Sequence, residues 1–144
     1  MYNAAGTLVS DNFYWLSAKP DTLDWKKRRD TAYTPQKDYG DLTALNKLAP
    51  VNLVLQESVT QHGSVRVTLQ NPGKDLAFMV HLRLTRGKGG EDVVPIFWDD
   101  NYISLLPGES RPLTATYEDS ALGGATPVVE VDGWNIGSVE RQPR

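Results

Sequence analysis

The chain has 144 residues, of which 40% are hydrophobic and 23% charged, and its formal net charge at pH 7 is −3. This composition excludes a disordered polyelectrolyte, and the length suits a single domain of ordinary size. The weak negative charge argues against sequence-independent nucleic-acid binding, and we expect neither a membrane-spanning segment nor a signal peptide, because no apolar run is long enough.

The first third of the chain combines two short strand patterns with a long segment of a different character. Residues 7–10 and the aromatic-rich residues 12–16 have the composition of strands. Residues 17–49 lack such alternation and are predicted to be a non-β insertion, which contains the basic cluster of residues 26–29. Within the insertion, residues 41–48 are predicted to form a short helix, which Asp41 would cap and Pro50 would stop.

The remaining two thirds of the chain are dominated by a period of two. The strongest pattern is residues 76–86, where five successive positions of one face are apolar. Pro95 marks the strand that contains it as an edge strand or a bulge. The predicted strands of this part cover residues 51–59, 64–70, 76–86, 92–98, 102–106, 112–118, 127–131 and 134–139.

Short strands at roughly ten-residue spacing, with turn chemistry between them, are typical of a two-sheet antiparallel sandwich. We therefore predict an all-β fold, an immunoglobulin-like antiparallel β-sandwich that spans residues 1–144 as one domain. The long insertion, at about residues 17–49, carries the short helix. Because the chain has no cysteine, its core must depend on apolar packing without a disulfide between the sheets.

Several kinds of catalytic and metal chemistry are excluded by residue type. The absence of cysteine removes thiol nucleophiles, Cys-ligated zinc and iron–sulfur clusters. The two histidines, His62 and His81, are too few for a His-rich metal site, and a surface or packing role is expected for both. The nucleophile-elbow motif G-x-S-x-G and the glycine-rich phosphate-binding motifs are also missing. We predict no catalytic residue, no cofactor and no metal in this chain.

Four segments, taken in order, resemble parts of one enzyme family. The segment NFYWLS, residues 12–17, is similar to a strand of β-mannosidase-like enzymes of glycoside hydrolase family 2. YTPQKDYGDLTALNKL, residues 33–48, resembles an insertion of the exo-β-D-glucosaminidases of that family. DNYISLLPGES and VDGWN, residues 100–110 and 131–135, resemble a strand-and-turn motif and the end of their immunoglobulin-like accessory domain. The resemblance covers about residues 8–136.

This resemblance implies a C-terminal immunoglobulin-like domain of a longer enzyme, which we call the parent polypeptide. It implies that the catalytic glutamates lie on a separate (β/α)₈ barrel and that the partners of this chain are that barrel and sibling β-sandwich domains. A periplasmic or extracellular location of the parent is expected. Because residues 2–7 resemble the tip of a hairpin, we also expect a domain excised from a longer protein. The resemblance does not select the sugar, since glucosaminidases, mannosidases and galactosidases share such domains.

Two groups of residues are candidates for a domain interface or for the rim of the parent's substrate pocket. One group is the aromatic residues of the insertion. The other is a polar loop, whose alternative role is only structural, as a turn or a loop cap. A calcium site at that loop is disfavoured because the alternating acidic spacing is missing. The remaining tryptophans of the strand patterns are predicted to lie in the core. The candidate site residues are Trp25, Tyr33, Tyr39, Asp99, Asp100 and Asn101, and the predicted core tryptophans are Trp15, Trp98 and Trp134.

The predicted function is that of a non-catalytic accessory domain of an exo-β-glucosaminidase or β-mannosidase-type enzyme, packed against the catalytic barrel. The alternative is an autonomous carbohydrate-binding module that uses the aromatic residues of the insertion to hold a β-linked oligosaccharide. A third alternative is a cell-surface adhesion or interaction domain. Oligosaccharide titration separates the first two, because only the module would lose a measurable affinity on Trp25→Ala.

Overall fold

The computed structural model describes residues 1, 3–7, 9–28, 33–60 and 63–142, with no account of the side chains of residues 57–60. The predictions for His62 and for Arg29 of the basic cluster lie outside the described residues. The chain divides into two compact units, Met1–Leu48 and Ala49–Arg144. In the described part of the chain, no helix has the length and apolar character that crossing a membrane requires.

The first unit, Met1–Leu48, contains little regular structure. Its strands are β1, Thr22–Leu23, and β2, Gln36–Asp38, which pair antiparallel. Its described residues also form the 3₁₀ helices Trp25–Lys27 and Thr43–Lys47. None of its described residues is buried. The unit therefore has no hydrophobic core among those residues.

Two predictions for this unit were wrong, and a third is confirmed in a shorter form. No strand is assigned to the described residues of 7–10 or to residues 12–16, because a strand needs a pairing partner as well as a suitable composition. The insertion is not free of β structure, since it contains β1 and β2. The helix predicted for residues 41–48 is a 3₁₀ helix of five residues. At its N-terminal end, Asp41 Oδ1 accepts hydrogen bonds from the N–H (2.9 Å) and the hydroxyl (2.7 Å) of Thr43.

The second unit, Ala49–Arg144, is a β-sandwich of two sheets. Five strands form one sheet in the order β10-β3-β4-β8-β6, and three form the other in the order β7-β5-β9. Every pairing is antiparallel except that of β10 with β3, which is parallel. The strands are β3 Val51–Thr60, β4 Ser64–Gln70, β5 Ala77–Arg86, β6 Ile96–Trp98, β7 Ile103–Leu105, β8 Ser110–Tyr117, β9 Pro127–Asp132 and β10 Ile136–Gln142.

The core lies between the two sheets and follows the alternation of the sequence. On β4, Val65, Val67 and Leu69 are buried while the intervening residues are not. On β5, Val80, Leu82 and Leu84 are buried in this core, as the apolar face predicted, and Phe78 is buried outside the core cluster. The other buried members of the core cluster come from both sheets and the loops: Val51, Leu53, Leu55, Ala77, Val93, Ile103, Leu105, Leu113, Ala115, Tyr117 and Val129. The prediction of an all-β, two-sheet fold is confirmed.

The second unit departs from the predicted strands where turns interrupt the pattern. The strand predicted for residues 92–98 is reduced to β6, which is an edge strand as Pro95 suggested, and Asp92 makes only an isolated bridge to Thr85. Trp98 packs against the core. The core prediction was wrong for Trp15, 45% exposed, and for Trp134, 56% exposed. Trp134 occupies the turn before β10, and Trp15 lies in the unit whose described residues include none that is buried.

The stability of the sandwich is expected to fall as the pH rises above about 10, where tyrosines ionise. Burial, with a smaller contribution from the negative charge of Asp119, raises the pKa of the Tyr117 phenol above its ordinary value. The folded state therefore holds this proton more tightly than the unfolded chain, so stability is complete at lower pH and is lost as the phenol ionises. Urea unfolding at a series of pH values measures the effect. Tyr117→Phe should lose part of this alkaline sensitivity, and an identical pH profile for both proteins would contradict the assignment.

Candidate functional site

The loop of Asp99, Asp100 and Asn101 joins β6 to β7, and its side chains hold the backbone. Asp99 Oδ1 accepts hydrogen bonds from the N–H groups of Thr114 (3.0 Å) and Asp100 (2.9 Å). The N–H of Asp99 donates to the carbonyl of Thr114 at 2.9 Å. Asp99 therefore extends the pairing of β6 with β8 by one residue, which is the loop-cap role that the sequence left open as an alternative.

Asn101 takes the place of a strand residue beside β5. Its Oδ1 accepts a hydrogen bond from the N–H of Leu82 at 2.8 Å, and its Nδ2 donates to the carbonyl of Leu82 at 2.9 Å. One amide side chain thus satisfies both backbone groups of a buried residue, which would otherwise be left without partners. This pairing fixes the position of the loop on the edge of the three-stranded sheet.

Asp100 is an exposed carboxylate of the loop. Its side chain is 54% exposed, with Oδ2 3.7 Å from Arg111 Nη1, and its Oδ1 accepts a hydrogen bond from the N–H of Asn101 at 2.9 Å. In contrast to Asp99, it makes no hydrogen bond to a neighbouring strand that the structure shows. Asp100 is therefore the member of the loop whose carboxylate is best placed to meet a second surface.

Tyr102 follows the loop in an unusual backbone conformation. Its φ of 53° lies in the left-handed region, which is uncommon for a bulky residue and costs conformational energy. Its ring stacks on His81, with centroids 4.5 Å apart and an interplanar angle of 11°. The imidazole Nδ1 of His81 lies 3.2 Å from Asp132 Oδ1. The sequence predicted Tyr102 only as a strand residue, because an alternation pattern carries no information about the backbone angle φ.

An ion-pair network covers the same face of the three-stranded sheet. Arg83 lies 2.7 Å from Glu130, 3.2 Å from Asp92 and 3.8 Å from Asp132. Beside it is a groove of about 240 Å³, lined by residues that include Trp98 and Asn101. Each of these carboxylates is held in an ion pair with Arg83, so the arrangement fits an interaction surface better than acid–base chemistry.

The aromatic candidates lie in the first unit and are all exposed. Trp25 is 65%, Tyr33 62% and Tyr39 68% exposed. Trp25 begins a 3₁₀ helix whose first turn is capped by Asp24, with Oδ1 accepting from the N–H groups of Lys26 (3.2 Å) and Lys27 (3.3 Å). Tyr33 lines a hollow of about 520 Å³ together with Lys26, Lys27, Arg28 and Pro35.

Two aspartates connect segments of the first unit that are far apart in the sequence. Asp21 Oδ1 accepts a hydrogen bond from the N–H of Gly40 at 2.5 Å. Hydrogen bonds from Lys19 and Thr22, together with the positive charge of Lys19, lower the pKa of the Asp38 carboxyl. Within the described residues, no group of three or more His, Asp or Glu side chains is placed to hold a metal ion.

The sequence patterns did not predict that two asparagines are buried and bridge distant segments. Asn71, fully buried, donates through Nδ2 to the carbonyls of Asp75 (2.8 Å) and Leu105 (3.1 Å). Asn135 joins three segments, because its Oδ1 accepts from the N–H of Phe78 (2.8 Å) and its Nδ2 donates to the carbonyls of Ala49 (2.7 Å) and Leu76 (2.8 Å). The available signal was an asparagine in a glycine- or proline-containing turn beside a strand.

Comparison with known proteins connects these features to one family. The family described as "Exo-beta-D-glucosaminidase Ig-fold domain" matches residues 31–136. The exo-β-D-glucosaminidase of Streptomyces avermitilis is 43% identical over 141 residues, which cover 92% of this chain and 15% of the relative. The crystal structure of the exo-chitosanase CsxA of Amycolatopsis orientalis superimposes with a TM-score of 0.76 at 36% identity, over 94% of this chain and 16% of that chain.

A plant enzyme shows a more distant relationship. The mannosylglycoprotein endo-β-mannosidase of Lilium longiflorum is 32% identical over 75 residues, 48% of this chain and 8% of the relative. The chain thus spans only about 15% of the length of the glucosaminidase that it matches. The immunoglobulin-like fold and the family resemblance predicted from the sequence are both confirmed. The chain belongs to the family of exo-β-D-glucosaminidase Ig-fold domains.

Proposed function

We propose that this chain is a non-catalytic accessory domain of a glycoside hydrolase family 2 exo-β-glucosaminidase and that it packs against the catalytic barrel of the same polypeptide. The observation that carries the proposal is the match of nearly the whole chain to about one sixth of an exo-chitosanase, at 36% identity. The catalytic activity, the substrate and a periplasmic or extracellular location would then belong to the parent polypeptide.

The described carboxylates support an accessory role. A retaining glycosidase needs two carboxyl groups about 5–5.5 Å apart on either side of the scissile bond. Here Asp99 caps a strand, Glu130 pairs with Arg83, and Glu109 pairs with Arg111 at 2.7 Å. Each of these groups already has a structural partner, so none is offered to a sugar as a free acid or nucleophile.

Cross-linking of the parent polypeptide tests the packing. An amine-reactive reagent should join lysines of this chain, such as Lys26, Lys47 or Lys88, to lysines of the catalytic barrel, and mass spectrometry identifies the pairs. Cross-links that occur only within the chain, with none to the barrel, would contradict the proposal. Denatured protein serves as the control for chance encounters.

At the pocket rim, we propose that Asp100 is the residue of its loop that reaches substrate. Asp100→Asn keeps the acceptor for the N–H of Asn101 but removes the charge, which would attract an amino sugar. In the parent polypeptide this change is expected to raise KM a few-fold for a glucosaminide and to leave kcat unchanged, because only binding is affected. Asp75→Asn is the control, since Asp75 lies in a different loop. An unchanged KM would remove Asp100 from the rim, and a large loss of kcat would contradict a non-catalytic role.

The carbohydrate-binding module remains a second candidate because Trp25, Tyr33 and Tyr39 are exposed. Exposed aromatic rings can stack on sugar rings, and a module would use them without any other domain. Calorimetric titration of this chain with glucosamine oligosaccharides separates the two functions. Millimolar or tighter binding that disappears on Trp25→Ala would favour the module, whereas the accessory-domain proposal predicts no binding by the isolated chain.

A further inference from the structure

We propose that residues 1–48, which we call the strap, are the docking element of this chain and bind an apolar face of a neighbouring domain in the parent polypeptide. The inference rests on the proposed function, since it requires that further domains exist. It goes beyond that function because it assigns docking to the strap and not to the sandwich.

Burial divides the chain sharply at the boundary of its two units. Every buried residue of the described chain lies in Ala49–Arg144. In the strap, the described residues include none that is buried. A segment of this size buries little of its own surface, and small folds of this kind often depend on a metal, disulfides or a partner. The strap has no cysteine and no metal-ligand cluster among its described residues, and we therefore expect a partner to order it.

Exposed apolar side chains are concentrated in the strap. Of the fifteen exposed large hydrophobic residues in the described chain, ten lie in the strap, which is one third of its length. Tyr14 is 73% and Leu16 86% exposed, and Trp25 and Tyr39 are also largely exposed. A concentration of this kind marks an interaction site.

The strap is nevertheless shaped by local hydrogen bonds. Asn3 Oδ1 accepts from the N–H groups of Ala5 (3.0 Å) and Thr7 (2.9 Å). Asp24 and Asp41 close further turns through backbone N–H groups, and Asp21 joins two distant parts of the strap by accepting from the N–H of Gly40. Such turns fix where the aromatic side chains project without covering them. The strap therefore presents exposed apolar groups on a backbone that its own turns already shape, which suits a segment that becomes fully ordered on binding a preformed surface.

The occupant is a domain of the same polypeptide and not a separate protein. The glucosaminidase relative is nearly seven times as long as the part that this chain matches, since the match covers 15% of it. A neighbouring domain in the same polypeptide is present at a high effective concentration, so even a modest apolar contact remains closed. A separate partner would have to supply the same binding free energy without that advantage.

Hydrogen exchange measured by mass spectrometry tests the inference. In this 144-residue chain, the amides of residues 12–16 and 22–28 should exchange rapidly, while those of β4 and β5 remain protected. In the parent polypeptide, the strap amides should exchange at least about tenfold more slowly, because docking suppresses local opening. Equal exchange of the strap in both proteins would overturn the inference, as would strong protection in the isolated chain.

A matched pair of variants identifies the side chains responsible. The double variant Trp25→Ser and Tyr39→Ser should abolish most of the strap's protection in the parent polypeptide. Phe97→Ser is the control, because Phe97 on β6 is 68% exposed, the same fraction as Tyr39, but lies in the sandwich. Protection that survives the double variant, or that Phe97→Ser removes equally, would contradict docking by the strap. Continued protection of β4 and β5 verifies that each variant is folded.

The outcomes separate this inference from the proposed function. If the strap exchanges rapidly in the parent while cross-links join the sandwich to the barrel, the inference fails and the accessory role stands. If cross-links to the barrel are also missing, both fail. If a glucosamine oligosaccharide alone protects the strap in the isolated chain, the strap is a sugar site, and docking to a domain is wrong.

Discussion

Replacing Asn135 by alanine is expected to lower the free energy of unfolding of the sandwich by about 3 kcal/mol. The Asn135 side chain bonds to one backbone N–H and two backbone carbonyls, at Phe78, Ala49 and Leu76. Only 9% of the residue is exposed, so the groups that lose it cannot all be rehydrated. A buried polar group left without a partner costs more than an average hydrogen bond contributes.

Urea denaturation of the 144-residue chain measures this effect. Asn52→Ala is the control, because Asn52 is exposed on β3, and its replacement is expected to change stability by less than about 0.5 kcal/mol. If Asn135→Ala were as mild as Asn52→Ala, the asparagine would not be the clamp that joins the start of β3, the start of β5 and the turn before β10.

Replacing Leu69 by alanine is expected to cost about 3 kcal/mol, within the usual range for a fully buried leucine. Leu69 is 0% exposed and lies on β4, the central strand of the five-stranded sheet. The loss combines the favourable transfer free energy of the removed methyl groups with the cost of a cavity that the strands on both sides cannot close. The midpoint of urea unfolding should fall with no change in the slope of the transition.

Leu106→Ala provides the comparison for this prediction. Leu106 follows β7 directly and is 55% exposed, so the same chemical change is expected to alter stability by less than about 0.5 kcal/mol. Equal losses for Leu69→Ala and Leu106→Ala would contradict the position of the core between the two sheets.

The sandwich could be predicted from sequence because its strands have one face buried and the other exposed. In β4 and β5 the apolar and polar positions alternate, and the structure buries the apolar set. The pattern failed to fix strand ends near turns. Trp134 continues the alternation of the last predicted strand, but it lies in a turn. Its backbone N–H donates a hydrogen bond to the carbonyl of Phe78.

The first unit was harder to predict because none of its described residues is buried. The aromatic composition of residues 12–16 favours a strand, but strand formation depends on a neighbour that composition cannot supply. The helix predicted at Asp41 likewise depended on packing that the local sequence could not supply. With Leu42 and Leu45 not buried, nothing extends a short 3₁₀ turn into an α-helix.

The polar loop was located by sequence, whereas its geometry was not. Asp99, Asp100 and Asn101 were recognised as a group, but a spacing rule cannot show that Asn101 pairs with Leu82. Similarly, the strained φ of Tyr102 and its stacking on His81 depend on β5 and β7 being neighbours. Contacts between distant segments are visible only in the folded chain.

The two units suggest a division of labour. The sandwich has the buried core that an independently stable domain needs, and asparagines fix its turns. The strap has exposed aromatic side chains and turns closed by aspartates, without a core in its described residues. We expect the sandwich to supply stability and the strap to supply attachment, while the chemistry belongs to another part of the parent polypeptide.

Hydrolysis of p-nitrophenyl β-D-glucosaminide by the purified 144-residue chain tests the absence of catalytic groups most directly. No release of p-nitrophenol above the buffer blank is expected, and the parent polypeptide, assayed in parallel, should turn the substrate over. Activity that co-elutes with the chain, increases in proportion to its concentration and disappears on replacing one of its own carboxylates would contradict the account.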